Sequence, residues 1–139
     1  MEQTAILLVD LQGDFTQMKS GSLAVEGTDK KYLDTIIENL NYLKDKGFKI
    51  FATQDWHPRD HVSFFTNNKG TQPYDIIEID GLDQVMWPPH CVQNTKNADI
   101  LVKTDMFTSI IKKGRNSKFD SYSGFQDDGG TKTDLKEIL

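Results

Sequence analysis

The chain has 139 residues with 37% apolar and 27% charged side chains, a net charge of −5 and a single cysteine, Cys91. That length suits one domain with a real core and is short for two. The balance excludes a disordered chain and a mainly phosphate-binding surface. It also excludes an internal disulfide, and no apolar run approaches the ~20 residues that cross a bilayer.

In chain order, "AILLVD" at 5–10 is a continuous apolar run ending in an acid, the pattern of a strand buried on both faces of a parallel sheet. Residues 11–27 hold three glycines and read as a loop with a hairpin-like turn. A helix is predicted from Thr28 or Asp29, because Leu33, Ile36, Ile37, Leu40 and Leu43 recur at helical spacing and Gly47 fits its stop. "FKIFATQD" at 48–55 predicts a second strand, again ending in an acid. Strand, helix and strand together make a βαβ unit.

Residues 56–98 read as irregular, with all four prolines and all three histidines. A loop that long inside a compact domain usually carries function or is disordered. "FTSIIKKG" at 107–114 predicts a third strand closed by Gly114. "TKTDLKEIL" at 131–139 predicts the start of a helix, with Thr133 or Asp134 as its cap. The N-terminus has neither the basic region nor the cleavage site of a signal peptide, and the cytosol is the default compartment.

Ligands in open parallel sheets bind beyond the carboxyl ends of the strands. The three predicted strands end there in Asp10, Asp55 and Lys113, so that each delivers an ionisable side chain to one edge. Polar residues also simply mark where buried strands emerge. Beside Asp55 come His57 and His61, with His90 later on the stiff "WPPH" segment. Imidazoles plus a carboxylate suit Zn, Fe or Mn; solvated loop histidines give the same spacing. Cys91 suits packing. Phe15 and Trp87 suit either a core or the wall of a ring-binding pocket.

The segments "LLVDLQGDF", "GSLAVEGTD", "ATQDWHPRDHVSF", "WPPHCV", "KKG" and "YSGF" resemble, in order, those of the nicotinamidase/pyrazinamidase enzymes of the isochorismatase-like hydrolase superfamily. The resemblance runs from residue 5 to about 125. It implies an α/β/α fold of three layers around a parallel sheet, one domain over 1–139, and hydrolysis of nicotinamide or pyrazinamide in NAD salvage. It implies Asp10 and Lys113, rather than Lys112, as catalytic residues. It implies Asp55, His57, His61 and His90 as ligands of one divalent ion, zinc before iron or manganese, and Phe15 and Trp87 as the walls around the pyridine ring.

In this chemistry a thiolate attacks the amide carbon, ammonia leaves after protonation, and water releases the acid from the thioester. The family's nucleophilic cysteine follows a fourth strand, and the chain stops before it; Cys91 does not match that position. The expectation is therefore the N-terminal two-thirds of the fold, with little or no turnover. The alternative is a remnant that binds metal and nicotinamide without chemistry. Metal-activated water with Asp10 as base is a third route. No nucleic-acid or membrane partner is expected, and an uncovered sheet edge predicts a multimer.

Overall fold

The computed structural model describes residues 4–139. Three parallel strands, β1 (Ala5–Val9), β2 (Lys49–Asp55) and β5 (Ser109–Lys113), form a sheet in the order β1-β2-β5. Helix α1 (Lys30–Asp45) links the first two, and the short α2 (Leu135–Ile138) lies near the C-terminus.

Alternation along the strands sorts the core into two faces. Ile6, Leu8 and Ile50 pack with Leu33 and Leu40 of α1 on one face. Leu7, Phe51 and Ile111 pack with Leu135 and Ile138 of α2 on the other. The expected layers and parallel sheet are therefore present. Helix α1 starts where expected: the Asp29 carboxylate accepts the Tyr32 N–H at 2.9 Å, a standard N-cap contact. At α2 the Thr133 hydroxyl accepts the Leu135 N–H at 3.2 Å.

The middle stretch departs from its expected irregularity. Strands β3 (Ile76–Ile79) and β4 (Leu82–Val85) form an antiparallel hairpin. Its turn is Asp80-Gly81, both at positive φ (52° and 82°), the pairing that a two-residue hairpin turn demands. β1 and β5 each pair only with β2, so the sheet has two open edges among the described residues. Val9 is 61% exposed, and with it the end of an all-apolar strand.

Candidate active site and metal centre

Parallel register brings the strand ends together. Val9 lies opposite Thr53, and Asp55 opposite Lys113. Asp10 follows β1 with φ 48°, a left-handed turn that aspartate tolerates better than most residues. Its Oδ1 accepts the Thr53 hydroxyl at 2.7 Å, and its Oδ2 lies 2.9 Å from Lys113 Nζ. Lys113 is only 4% exposed. Its ammonium also reaches Asp55 Oδ1 at 2.5 Å and the Ser121 carbonyl at 2.8 Å. Three donors thus meet three acceptors.

Burial alone would push Lys113 down, but the carboxylates of Asp55 and Asp10 outweigh it and hold its pKa above the ordinary lysine value. Burial likewise works to raise Asp55, yet His57 and Lys113 together hold its carboxyl down at about 2. Both groups are charged at neutral pH. Lys112, the neighbouring candidate, instead lies over the Trp56 ring, 3.7 Å from its centre.

Asp55, His57 and His90 each present one ligand atom within 4.8 Å of the others, and all three are buried. Their tautomers follow from their partners. His57 Nδ1 lies 2.9 Å from the Gly114 carbonyl, and His90 Nδ1 lies 2.8 Å from the Pro88 carbonyl. A carbonyl only accepts, so each Nδ1 carries the proton and each Nε2 keeps its lone pair. His57 Nε2 sits 3.6 Å from Asp55 Oδ2. This is the arrangement that metal-binding histidines adopt, and the donor set fits a divalent ion of the zinc class.

Gly114 makes the approach possible. Its φ is +65°, and a Cβ there would fall 2.4 Å from His57 Cε1.

His61 was expected as a fourth ligand and does not join this group. Its ring lies 4.5 Å from that of His57, centre to centre, but both nitrogens are engaged elsewhere. Nε2 donates to the Phe119 carbonyl at 3.0 Å. Nδ1 accepts the Ser63 N–H at 3.3 Å and lies 2.8 Å from the Ser63 hydroxyl. His61 therefore holds the opposite tautomer and has no lone pair to offer. Burial first, then the charge of His57, pushes its pKa down. The same two causes lower His90.

These groups open on a cavity of about 240 Å³ whose walls include Asp10, Phe15, His57, Trp87, His90, Lys113 and Tyr122. Phe15 packs against His90 at 5.7 Å. Cys91 is fully buried and does not line the cavity. Burial first, then Asp55, drives its thiol far above the ordinary range, so it is no thiolate nucleophile.

Four supporting residues went unnoticed in the sequence. Gln12 is fully buried, and its amide grips the backbone of Asp55 at both N–H and carbonyl, each 2.8 Å. Asp14 accepts the Cys91 N–H at 2.7 Å, bracing the turn that carries His90. Phe64 packs within 6 Å of all three histidine rings, at 5.8, 5.5 and 5.5 Å. Asp120 lines the cavity. Only the small polar residues of "LQGDF" gave any hint, because a buried Gln or Asp needs a partner.

No family model matches the chain. Known proteins do. A nicotinamidase of Acinetobacter baylyi is 42% identical over 138 residues, which cover 97% of this chain and 61% of that protein. A nicotinamidase of Saccharomyces cerevisiae is 31% identical, covering 96% of this chain and 68% of its own length. The chain belongs to the nicotinamidase family.

Solved structures agree on the fold. A yeast nicotinamidase bound to the inhibitor nicotinaldehyde superposes with a TM-score of 0.82 at 31% identity, over 97% of this chain and 68% of that one. A Pyrococcus horikoshii pyrazinamidase in complex with zinc gives 0.74 at 36% identity, over 99% and 63%. This nicotinamidase-family chain thus spans about 60% to 68% of the length of the curated relatives it matches. Among its described residues no helix is long and apolar enough to cross a membrane.

Proposed function

We propose that the chain forms the ring-binding, metal-binding and proton-transfer walls of an amide hydrolase for nicotinamide and pyrazinamide. The observation that carries this is the Asp10–Lys113–Asp55 charge chain meeting the His57 and His90 lone pairs in one aromatic-walled cavity. Asp55, His57 and His90 would hold one divalent ion, zinc by the chemistry of the donors and by the zinc-bound relative. When bound, that ion supplies a Lewis-acidic point for the heteroaromatic nitrogen.

Phe15, Trp87 and Asp10 all line the cavity, and a flat ring held between the two aromatics would turn its carboxamide toward Asp10. Asp10 is placed to take a proton from a nucleophile and return it to the departing nitrogen; none of these 139 residues supplies that nucleophile. Lys113, fixed by three acceptors, holds the Asp10 carboxylate in place and would add positive charge where the oxyanion forms.

The cavity holds no thiolate, since Cys91 is the sole cysteine and is sealed away. For these 139 residues alone the reading is binding of one metal ion and of nicotinamide with little or no turnover. A cytosolic place in NAD salvage goes with it, and the open edges of the sheet support self-association.

The test measures metal content, nicotinamide binding by calorimetry, and ammonia release. One ion per chain and ligand binding without ammonia is the expected result. Turnover like that of the relatives would refute the walls-only reading. Absence of both metal and ligand binding would refute the proposed site.

A further inference from the structure

One short segment, residues 119–122, holds several parts of the site at once. The Phe119 carbonyl takes the His61 N–H, and the Ser121 carbonyl takes Lys113. The two side chains that follow them matter more for substrate. Trp87 Nε1 donates to the Tyr122 hydroxyl at 3.2 Å. That hydroxyl donates in turn to Asp120 Oδ2 at 3.4 Å. Gln84 of β4 donates its amide to the same oxygen at 2.7 Å.

The direction of this relay follows from its ends. An indole N–H only donates, so the Tyr122 hydroxyl accepts there, and Asp120 Oδ2 is the acceptor the protein offers its proton. The backbone of Trp87 is held by Ser63 and Phe65, and its indole N–H by the Tyr122 hydroxyl, on a side chain that is 67% exposed. Tyr74 meets Trp87 only edge-on, at 5.9 Å. Asp120, by contrast, is 7% exposed. It holds the Trp87 indole through Tyr122, and it ties down β4, just before Trp87 in the chain, through Gln84.

We propose that Asp120 is a positioning residue that fixes the plane of the Trp87 indole through Tyr122, and so sets the gap in which a flat heteroaromatic ring is held. This rests on the ring-binding reading for its ligand readout, but not for its first readout, which needs no ligand.

That first readout is the pair of indole N–H resonances of the ¹⁵N-labelled chain, assigned with Trp87→Phe. In Asp120→Ala and in Tyr122→Phe the Trp87 resonance should move upfield and exchange faster, with Trp56 unmoved. The double variant should move it no further than either single one. Asp120→Glu should recover part of the shift. Nicotinamide Kd should rise about tenfold in Asp120→Ala, the loss of roughly one hydrogen bond's worth of positioning, with metal content unchanged. If Asp120→Ala fails to fold, Tyr122→Phe, which removes the hydroxyl that joins the two, decides by the same resonance.

A Trp87 signal that stays put in these variants overturns the proposal. So does one that moves only together with Trp56. A chain that binds no nicotinamide, yet shows the expected Trp87 shifts, refutes the proposed substrate and leaves the positioning role standing.

Discussion

Two buried histidine environments lie side by side against Phe64 and are built to opposite ends. At His57 and His90 a backbone carbonyl claims Nδ1, which leaves two lone pairs free beside the Asp55 carboxylate. At His61 a carbonyl claims Nε2, and Ser63 closes off Nδ1. The rings are 4.5 Å apart, and the residue type is the same. Which nitrogen meets a carbonyl decides whether an imidazole is a ligand or a strut.

The harshest way to break the ligand side is to remove its charge. Asp55→Ala leaves the ammonium of Lys113 buried with Asp10 as its only carboxylate partner. Such a half-broken buried network costs about 3–5 kcal/mol. Urea denaturation should show that loss together with loss of bound metal. A smaller change, near that of an exposed pair, would mean that Lys113 reaches water.

The comparison is tested most directly by three parallel alanine variants. His57→Ala and His90→Ala should each weaken zinc binding by roughly 100-fold or more while the chain still folds. His61→Ala should keep one ion per chain and lose about 1–3 kcal/mol, because the Phe119 carbonyl and Ser63 lose their partner. Metal analysis after dialysis, paired with thermal melts, separates the two patterns. Loss of zinc in His61→Ala at full stability would make His61 a ligand after all.

Gly114→Ala probes the ligand side more gently. The added methyl group meets His57 and strains a backbone at φ +65°. About 1–2 kcal/mol should be lost to the left-handed backbone, with weaker zinc binding as His57 is pushed aside. Gly47→Ala is its control, because φ is +84° there too but nothing lies within 4 Å. Gly47→Ala should cost stability and leave zinc binding alone.

Part of this contrast was legible in the residues. Strand ends at Asp10, Asp55 and Lys113 follow from apolar runs that stop in charged residues, and α1 from its spacing and its Asp29 cap. The hairpin was legible in principle, since Asp80-Gly81 sits between alternating apolar residues, but four prolines nearby argued for a loop. His61 could not be told from His57 because its partner, the Phe119 carbonyl, lies 58 residues away. Gln12 reaching Asp55 and Asp14 reaching Cys91 are equally non-local, at 43 and 77 residues. Tautomer and clamp are tertiary facts, and spacing along one chain segment does not encode them.

Proton titration should blur the contrast that metal reveals. In the metal-free chain, burial and then His57 hold both His61 and His90 below the ordinary 6.5. The unfolded chain therefore takes up protons at these rings before the folded chain does. Their contribution to stability is complete above pH 6.5. It falls as the pH drops, by up to about 1.4 kcal/mol per pH unit for each ring, until the folded chain protonates too. His61→Asn and His90→Asn should each flatten the decline between pH 6.5 and 5.5, measured by denaturation with a chelator present. Zinc at pH 7 then restores the difference: it should stabilise the wild-type chain and His61→Asn, but not His90→Asn. Equal stabilisation of both variants would mean that the ion grips neither ring, and the tautomer argument would fail with it.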